Sequence, residues 1–238
     1  MYKGKRVMVI LPALNEAGKV GKVLDKMPTD VVDQVVVVDD GSTDGTAAEA
    51  EASGAFVIRH AVNRGVGAAI RTGIEHALAH GFDITVVMAS DDQDVPAEVT
   101  RLLDPIIAEG MDYVHGSRYL KGGAQVRHPL YRTITTRLYS LLFRLLTGAP
   151  ITDGTNGFRA FRTAICTRFN LWQDWLDRYE LEPYLYYQVV KQGYRWKEVP
   201  VTKVYPQDRK IGYTKMKPFR DWWRISRPLF FLALGLKK

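Results

Sequence analysis

The sequence is poor in cysteine and has no long apolar run. Its single cysteine, Cys166, excludes an internal disulfide and a metal centre built from several thiolates, and it fits a reducing compartment. No segment approaches the roughly 18 apolar residues of a membrane-spanning helix; the nearest, residues 228–236, is far shorter. Residues 7–11 are too short for the apolar core of a signal peptide. We therefore expect a cytoplasmic protein.

Acidic residues are outnumbered by basic ones, 26 to 33, and the excess lies at one end of the chain. Residues 209–238 contain nine basic residues and one acid, Asp221. The net charge of this tail is therefore larger than the net charge of +7 of the whole chain. A basic segment of this kind favours a phosphate-rich partner, such as a nucleotide, a phospholipid surface or a nucleic acid. We expect no nucleic acid, because the tail contains no recognisable nucleic-acid-binding motif.

The first half of the sequence alternates short apolar segments with helical patterns. Strands are predicted at 6–11, 35–38, 56–59, 84–88 and 113–116, and helices at 15–27, 44–53, 65–80 and 96–109. This alternation predicts an α/β fold with a mostly parallel central sheet and helices on both faces. Ligands of such sheets bind at the carboxyl ends of the strands. Three polar clusters follow Leu11, Val38 and Met88, at the predicted strand ends.

The second half is less regular. Residues 130–146 carry apolar side chains at helical spacing with arginines between them, which predicts either an interfacial helix or an ordinary core helix. A loop or short strand is predicted at 151–161, a helix at 180–192 and a strand at 196–205. Residues 219–238 combine tryptophan, arginine and leucine, as segments at a lipid boundary do. We expect a main domain at 1–218, with a candidate interfacial helix at 129–148, and a membrane-surface or partner-binding segment at 219–238.

Two clusters in the first half have binding chemistry. Asp39 and Asp40 end the second predicted strand, where buried carboxylates are costly unless they bind something. There they can accept hydrogen bonds from a ribose or a base, and a capped turn is the alternative. Residues 63–69 open a helix with small side chains, so that its first N–H groups could attract an anion. Residues 12–16, taken alone, favour a simple helix cap.

An acidic segment follows the fourth predicted strand. Asp91 and Gln93 offer the oxygen ligands that Mg²⁺ or Mn²⁺ prefers, whereas Asp94 is interpreted as a helix cap. Basic residues come later, at Arg118, at Arg132 and within 209–215. Because the arginine fork matches phosphate oxygens, these positions indicate phosphate binding.

Taken together, these segments resemble the family-2 glycosyltransferases, specifically their dolichyl-phosphate mannosyltransferase-like branch. The resemblance covers residues 6–216, and its landmarks occur in order. They are Leu-Pro-Ala-Leu-Asn-Glu at 11–16, Val-Asp-Asp-Gly-Ser-Thr-Asp at 38–44, Asn-Arg-Gly-x-Gly-Ala-Ala at 63–69, Asp-x-Gln-x-x-Pro at 91–96, Gly-Ser-Arg-Tyr at 116–119, Thr-Asp-x-Thr-Asn-Gly-Phe-Arg at 152–159, Glu-Val-Pro-Val at 198–201 and Arg-x-x-Gly-x-Thr-Lys at 209–215.

The resemblance implies a GT-A fold and an inverting transfer of a hexose from a nucleotide diphosphate sugar, GDP-mannose or a UDP-sugar, to a polyprenyl or dolichyl phosphate. It implies that the nucleotide-sugar site consists of Pro12, Leu14, Glu16, Asp39, Asp40, Asn63, Gly65, Asp91, Arg209 and Lys215. It implies that a metal is held by Asp91 and Gln93, and the acceptor phosphate by Arg118, Arg132 and Thr136. The residues implied in catalysis are Asp91, Arg118, Arg132 and Lys215.

One position departs from the family pattern. The usual Asp-x-Asp-x-Gln motif is Ala-Ser-Asp-Asp-Gln at 89–93, so Ala89 replaces the first carboxylate. Losing an anionic ligand weakens Mg²⁺ binding before the diphosphate arrives. Three explanations stay open: fewer ligands hold the metal, Asp92 or Asp39 substitutes, or the metal matters less.

A phosphate acceptor needs no general base. Its second pKa is near ~6, so it is mostly a dianion at pH 7 and the protein has only to position it and neutralise charge. The alternative, a sugar or glycolipid hydroxyl, would require a base from Asp153, Glu180 or Glu182. A non-catalytic nucleotide-sugar-binding module is the other alternative. A lipid acceptor predicts a peripheral protein on the cytoplasmic face of a membrane, bound to lipid or to a membrane-protein partner.

Overall fold

The structure, a computed structural model, describes residues 1–127, 129–206 and 219–237. Its strands are β1 Val7–Ala13, β2 Gln34–Asp39, β3 Phe56–Arg59, β4 Ile84–Val87, β5 Tyr113–Ser117, β6 Ala124–Val126, β7 Arg159–Arg162, β8 Trp196–Pro200 and β9 Thr202–Val204. Seven of them form one sheet in the order β3-β2-β1-β4-β7-β5-β8, and β6 pairs with β9 in a small second sheet.

The central sheet is mostly parallel, as predicted. β1 runs parallel to β2 and β4, β2 to β3, and β5 to β8. β7 is antiparallel to both of its neighbours, β4 and β5. The local pattern at 151–161 predicts only a loop or short strand, because the position of β7 between β4 and β5 depends on long-range pairing that a local pattern does not contain.

Helices cover both faces of the sheet. They are α1 Val20–Asp25, α2 Thr46–Ala52, α3 Val66–Ala79, α4 Val99–Ala108, α5 Leu130–Thr147, α6 Leu181–Lys191 and α7 Arg220–Ala233, with short 3₁₀ turns at Pro96–Glu98, Thr163–Arg168 and Asp174–Leu176. Along β1, Met8 and Ile10 enter one apolar core while Val9 and Leu11 enter the other. A strand buried on both faces reads as a continuous apolar run, which is why the sequence pattern located β1 well.

Two predicted elements are shorter in the structure. The helix predicted at 15–27 begins only at Val20, because Asn15 (φ 50°) and Gly18 (φ 78°) adopt left-handed backbone conformations that a helix cannot contain. The strand predicted at 196–205 divides at Val201: β8 joins the central sheet and β9 pairs with β6.

The C-terminal helix α7 packs against α5 and α6. The hydroxyl of Tyr139 on α5 donates to the carbonyl of Ile225 at 3.0 Å, and Arg227 Nη2 lies 2.6 Å from Glu180 Oε1 beside α6. Leu229 of α7 is fully buried in the apolar core that also contains Tyr139 and Phe143 of α5. Across residues 1–127, 129–206 and 219–237, no helix combines the length and the apolar character needed to cross a membrane.

Candidate active site

A cavity of about 340 Å³ opens at the carboxyl ends of β1, β2 and β4. This is the edge where the polar clusters of the sequence were expected to meet. Its walls include residues from the segments 12–19, 63–70, 87–93, 155–157, 178–182 and 203–206, together with Asp40, Arg118 and Arg132.

Asp40 holds one end of the cavity together. Its Oδ1 lies 2.7 Å from Nδ1 of His60 and accepts the backbone N–H of Arg64 at 2.9 Å, while its Oδ2 accepts the N–H of Gly65 at 2.7 Å. The carboxylate therefore ties the end of β2 to the start of α3. Because a carboxylate offers about four acceptor positions, Asp40 can also accept from a ligand in the cavity. Pro12, Leu14, Glu16, Asn63 and Gly65 line this end, where the sequence placed them.

Asp39 does not line the cavity in the described structure. Its Oδ1 accepts the N–H of Ser42 at 2.9 Å, and its Oδ2 lies 3.3 Å from Nε of Arg59. The geometry is that of a capped turn, the alternative interpretation of this residue. Asp39 and Asp40 thus point to different surroundings although they are adjacent in sequence.

The glycines at the start of α3 accommodate a neighbouring segment of this chain. A Cβ at Gly67 would collide with the carbonyl oxygen of Leu176, and one at Gly65 with that of Asp177. The N–H of Ala68 donates to Asp177 O at 2.9 Å. The expectation that these N–H groups attract an anion is therefore wrong for Ala68, whose partner is the chain's own backbone.

That neighbouring segment brings two residues to the cavity that the sequence analysis missed. Arg178 and Tyr179 line its wall, and Arg178 Nη1 lies 3.4 Å from Oδ1 of Asn63. Arg71 of α3 anchors the segment by donating to Leu171 O at 3.0 Å and by pairing with Asp177. No recognisable motif marks these residues, so only the tertiary contact reveals them.

The acidic segment places Asp91 and Gln93 on the cavity wall and Asp92 outside it. Asp92 has a left-handed backbone (φ 62°) and pairs with Lys26 at 2.7 Å. Neither Asp92 nor Asp39 lines the cavity wall on which Ala89 lacks a carboxylate. Burial raises the pKa of Asp91, and the nearby charge of Lys203 opposes that rise.

A divalent ion fits this wall only with additional ligands. Within the described parts of the chain, no group of three or more His, Cys, Asp or Glu side chains could hold a metal. Asp91 and Gln93 provide two oxygen-bearing side chains on one wall. Mg²⁺ commonly takes one or two carboxylates together with water and substrate phosphates. The residues present therefore fit an ion that is shared with a diphosphate.

Lys203 also lines this wall, and no motif in the sequence indicated it. Its Nζ lies 2.9 Å from Asp94 Oδ1, and Asp94 Oδ2 accepts the N–H of Ala89 at 3.1 Å. Asp94 is therefore an ion-pair partner and not the helix cap that was expected. Burial by itself lowers the pKa of Lys203, but the charges of Asp94 and Asp91 outweigh burial and raise that pKa, so the ammonium keeps its proton.

Arg118 lies on another wall in a fixed orientation. Its Nε and Nη2 contact the two carboxylate oxygens of Asp153 at 2.7 and 2.8 Å, and Nη2 also donates to Thr155 Oγ1 at 2.6 Å. Burial alone would raise the pKa of Asp153, but the guanidinium outweighs burial and lowers it to about 2. Asp153 is therefore a poor proton acceptor near neutral pH.

Arg132 reaches the cavity from the first turn of α5, but Thr136 does not line it. The hydroxyl of Thr136 donates to Arg132 O at 2.7 Å and contacts the hydroxyl of Tyr119. Arg118 and Arg132 therefore line the same cavity, whereas Thr136 lies outside it. Arg209 and Lys215 lie outside the described residues.

The outer face of α5 is apolar and exposed. Tyr139 and Phe143 pack inward, whereas Leu138 and Leu145 are 61% and 74% exposed. The other exposed apolar residues of this face are Leu130, Tyr131, Ile134 and Leu141. The helix therefore packs against the core on one side and exposes an apolar surface on the other, and its role as an interfacial helix stays a prediction.

Comparison with known proteins identifies the family. The sequence model described as "Glycosyl transferase family 2" matches residues 8–169. This chain belongs to glycosyltransferase family 2. The glycosyltransferase is 32% identical to the polyprenol monophosphomannose synthase of Mycolicibacterium smegmatis, over 89% of this chain and 81% of that protein. It is 31% identical to the undecaprenyl-phosphate mannosyltransferase of Micrococcus luteus, over 89% and 87%. These relatives confirm the predicted branch.

A solved structure confirms the GT-A fold of this glycosyltransferase. The glucosyl-3-phosphoglycerate synthase of Mycobacterium tuberculosis, in complex with Mn²⁺, UDP and phosphoglyceric acid, superposes with a TM-score of 0.73. The match covers 99% of this chain and 81% of that one at 23% identity. At this identity the likeness establishes the fold.

Proposed function

We propose that this glycosyltransferase moves a hexose from a nucleotide diphosphate sugar to a polyprenyl phosphate. The observation that carries the proposal is the position of Arg132, which lines the cavity from the same helix that exposes Leu138 and Leu145 outward. An acceptor with a phosphate at the head of an apolar chain matches this pairing, because arginine binds phosphate and an apolar helix face binds lipid. The names of the two mannosyl-transferring relatives, which specify polyprenol and undecaprenyl phosphate, support it.

The donor's nucleoside would occupy the end of the cavity at Asp40, Glu16 and Asn63. Carboxylate and amide oxygens there can accept hydrogen bonds from the N–H groups of a base and the hydroxyls of a ribose. Both GDP-mannose and a UDP-sugar are candidates, since a 31% identical relative from Methanococcus voltae is named for UDP-N-acetylglucosamine. From the family pattern, Arg209 and Lys215 are proposed to close on the diphosphate.

Mg²⁺ or Mn²⁺ would be held by Asp91 and Gln93, and it supplies positive charge that stabilises a leaving diphosphate. The protein contributes its own positive charge at the acceptor side. Arg118, held by Asp153, and Arg132 would neutralise the acceptor phosphate and reduce its repulsion from the donor diphosphate.

In the proposed reaction an acceptor phosphate oxygen attacks the anomeric carbon. The bond from that carbon to the donor diphosphate breaks, and the diphosphate leaves with the electron pair. A single displacement from the opposite face inverts the anomeric configuration. The acceptor is mostly a dianion at pH 7, since its second pKa is about 6, so no side chain has to remove a proton.

A hydroxyl acceptor would need a general base, and one of the three carboxylates considered for that role lines the cavity. Asp153 and Glu180 are buried in ion pairs away from the cavity surface, whereas Glu182 lines the cavity and pairs with Arg159. Removing a general base costs about 10²–10⁴-fold in rate. Under the proposed phosphate mechanism, Glu182→Gln keeps the rate within about tenfold of wild type, because no base is required.

We further propose that the protein binds peripherally to the cytoplasmic face of a membrane. The exposed apolar side chains of α5 alternate with Arg137 and Arg144, which are also exposed. Arginines beside an apolar helix face are suited to anionic headgroups above acyl chains. The arrangement would present the polyprenyl chain to α5 and its phosphate to Arg132.

A donor panel tests the proposal. The purified chain is incubated with GDP-mannose, UDP-glucose or UDP-N-acetylglucosamine and a short polyprenyl phosphate, in the presence of Mg²⁺, Mn²⁺ or EDTA. Mass spectrometry identifies the lipid product, and NMR gives its anomeric configuration. We expect one donor to yield a glycosyl phospholipid with the configuration inverted. Intact donor binding with no lipid product from any donor would overturn the proposal.

A further inference from the structure

A buried lysine lies on the cavity wall beside the acidic segment. Lys203, on β9, is 9% exposed and lines the same cavity as Asp91 and Gln93. Lysine is almost never fully buried unless its charge is paired. Here the partner is Asp94, with Nζ and Oδ1 2.9 Å apart. A fixed positive charge is thus built into the wall that the donor diphosphate would face.

The backbone holds this lysine in place. Asp94 and Lys203 form an isolated antiparallel bridge, and the N–H of Val204 donates to Gln93 O at 2.8 Å. On its other oxygen, Asp94 accepts the N–H of Ala89 at 3.1 Å. β9 is therefore connected to the acidic segment by main-chain bonds, and the ammonium cannot turn away from the cavity without breaking its contact with Asp94.

The Lys203 ammonium has more N–H donors than the hydrogen bond to Asp94 uses. A lysine ammonium carries three N–H groups. Among the residues that the structure describes, Asp94 accepts one hydrogen bond from Lys203 and no other acceptor is present. The cavity is the open side of this group, because Lys203 is one of its lining residues.

Ala89 favours the binding of a phosphate next to Lys203, because it lacks the negative charge of an aspartate. Ala89 also lines the cavity, and its side chain is a methyl group that brings no negative charge. Asp91 is then the one carboxylate of the segment 89–93 that faces a diphosphate there. Asp94 is paired with Lys203, and Glu16 lines the cavity from another segment. Because Ala89 removes one negative charge, this wall repels phosphate less than the same wall with an aspartate at position 89 would.

We propose that Lys203 is a phosphate-binding residue of the donor site, so that a nucleotide diphosphate binds beside Asp91 even before a divalent ion joins it. The inference rests on the proposed function, because it requires a nucleotide diphosphate donor. It has two consequences. Nucleotide binds in EDTA, and the free protein binds Mn²⁺ weakly because Asp91 and Asp94 share their negative charge with an ammonium.

Calorimetry of GDP and UDP binding to the full chain in EDTA tests the first consequence. We expect Lys203→Gln to weaken binding by about tenfold or more, since it removes a charge-assisted hydrogen bond. Lys203→Arg keeps the charge and should stay within about threefold of wild type. The matched control is Lys197→Gln on β8, an exposed lysine that pairs with Glu109 at 2.8 Å and should change binding less than about twofold.

Two further measurements separate binding from folding. Should Lys203→Gln leave Asp94 unpaired and unfold the chain, the double variant Asp94→Asn/Lys203→Gln removes both charges, and the same loss of nucleotide binding is expected. Electron paramagnetic resonance should show that Lys203→Gln, or Lys203→Met, binds Mn²⁺ more tightly than wild type in the absence of nucleotide. This gain tests the charge balance between Lys203, Asp94 and Asp91, whereas the loss of nucleotide binding in EDTA tests the contact between Lys203 and phosphate.

The results that overturn the inference differ from those that overturn the proposed function. Wild type that binds nucleotide with Mn²⁺ but not in EDTA, or a double variant that binds as wild type does in EDTA, contradicts the role of Lys203 and leaves the donor site intact. Wild type that binds neither nucleotide even with Mn²⁺ contradicts the donor site itself, and the role of Lys203 with it.

Discussion

Arg118 and Asp153 form a two-point ion pair in the wall of the cavity, with Nε–Oδ2 and Nη2–Oδ1 distances of 2.7 and 2.8 Å. Both side chains are buried, and the hydroxyl of Thr155 accepts from the same guanidinium. The arginine is thus oriented before any ligand arrives, so that binding a phosphate requires little further loss of side-chain freedom.

Asp153→Asn should destabilise the fold by about 3–5 kcal/mol at pH 7, because it leaves Arg118 buried without a counter-charge. The folded-state pKa of Asp153, about 2, lies below its ordinary value of 3.8. The stability difference between wild type and variant should therefore be complete above pH 3.8 and shrink as the pH falls towards 2. Urea unfolding across this pH range measures it.

The control for this prediction is Asp112→Asn. Asp112 is half-buried and lies 3.7 Å from Nε of Arg162, so its loss should cost less than about 1 kcal/mol. Equal losses in the two variants, or a difference that grows on acidification, would contradict the account of the Arg118–Asp153 pair.

Gly67→Ala should destabilise the protein by about 1–3 kcal/mol, because the new methyl group meets the backbone carbonyl of Leu176. In a free helix the same change is stabilising. Donor-nucleotide affinity should fall as well, since the displaced segment carries Arg178. The control is Gly45→Ala, whose Cβ would be 3.9 Å from its nearest neighbour, so the expected loss of stability is under about 1 kcal/mol. Urea unfolding measures the stability of both variants, and calorimetry measures their nucleotide affinity. A Gly67→Ala variant as stable as wild type would refute the close contact with Leu176.

Arg132→Ala should raise the KM for polyprenyl phosphate by about tenfold or more, because it removes a charge-assisted contact to the acceptor. Donor-nucleotide affinity should be unchanged, which separates the acceptor end from the nucleoside end. Arg168→Ala, at the exposed end of the 3₁₀ turn Thr163–Arg168 and away from the cavity, is the matched control. Steady-state kinetics at varied acceptor concentration measures the KM of each variant. An equal effect of both variants would argue against a phosphate site at Arg132.

The double variant Leu138→Glu/Leu145→Glu should reduce binding to anionic phospholipid vesicles by about tenfold or more, since it replaces two apolar anchors with charges. Both side chains are largely exposed, so folding should be preserved. Phe56→Glu introduces a similar charge at an exposed apolar position on β3 and should leave vesicle binding unchanged. Co-sedimentation measures the effect; undiminished binding of the double variant would exclude the α5 face.

The sequence predicted what local patterns and ordered motifs contain. β3 was located to the residue at Phe56–Arg59. Most of the predicted site residues within the described part of the chain line one cavity, whereas Asp39 and Thr136 do not. Buried parallel strands have a strong local signature, and motifs at strand ends converge because the fold brings those ends together.

The remaining features depend on contacts between distant segments. Lys203 meets Asp94 across 109 residues of chain, and Arg178 reaches the cavity because the backbone at 176–178 lies against the start of α3. A lysine between two valine-rich stretches, or an arginine in an aromatic loop, has no local pattern that distinguishes it from a surface charge. Such residues become visible only when tertiary structure supplies their partners.

The proposed reaction requires an acceptor that carries a phosphate. The most direct measurement compares transfer rates from one donor to a polyprenyl phosphate and to the polyprenol of the same chain length without its phosphate. We expect a glycosyl phosphodiester, identified by ³¹P NMR, from the first acceptor and no measurable product from the second. Equal or faster transfer to the alcohol would contradict it and would establish a hydroxyl acceptor.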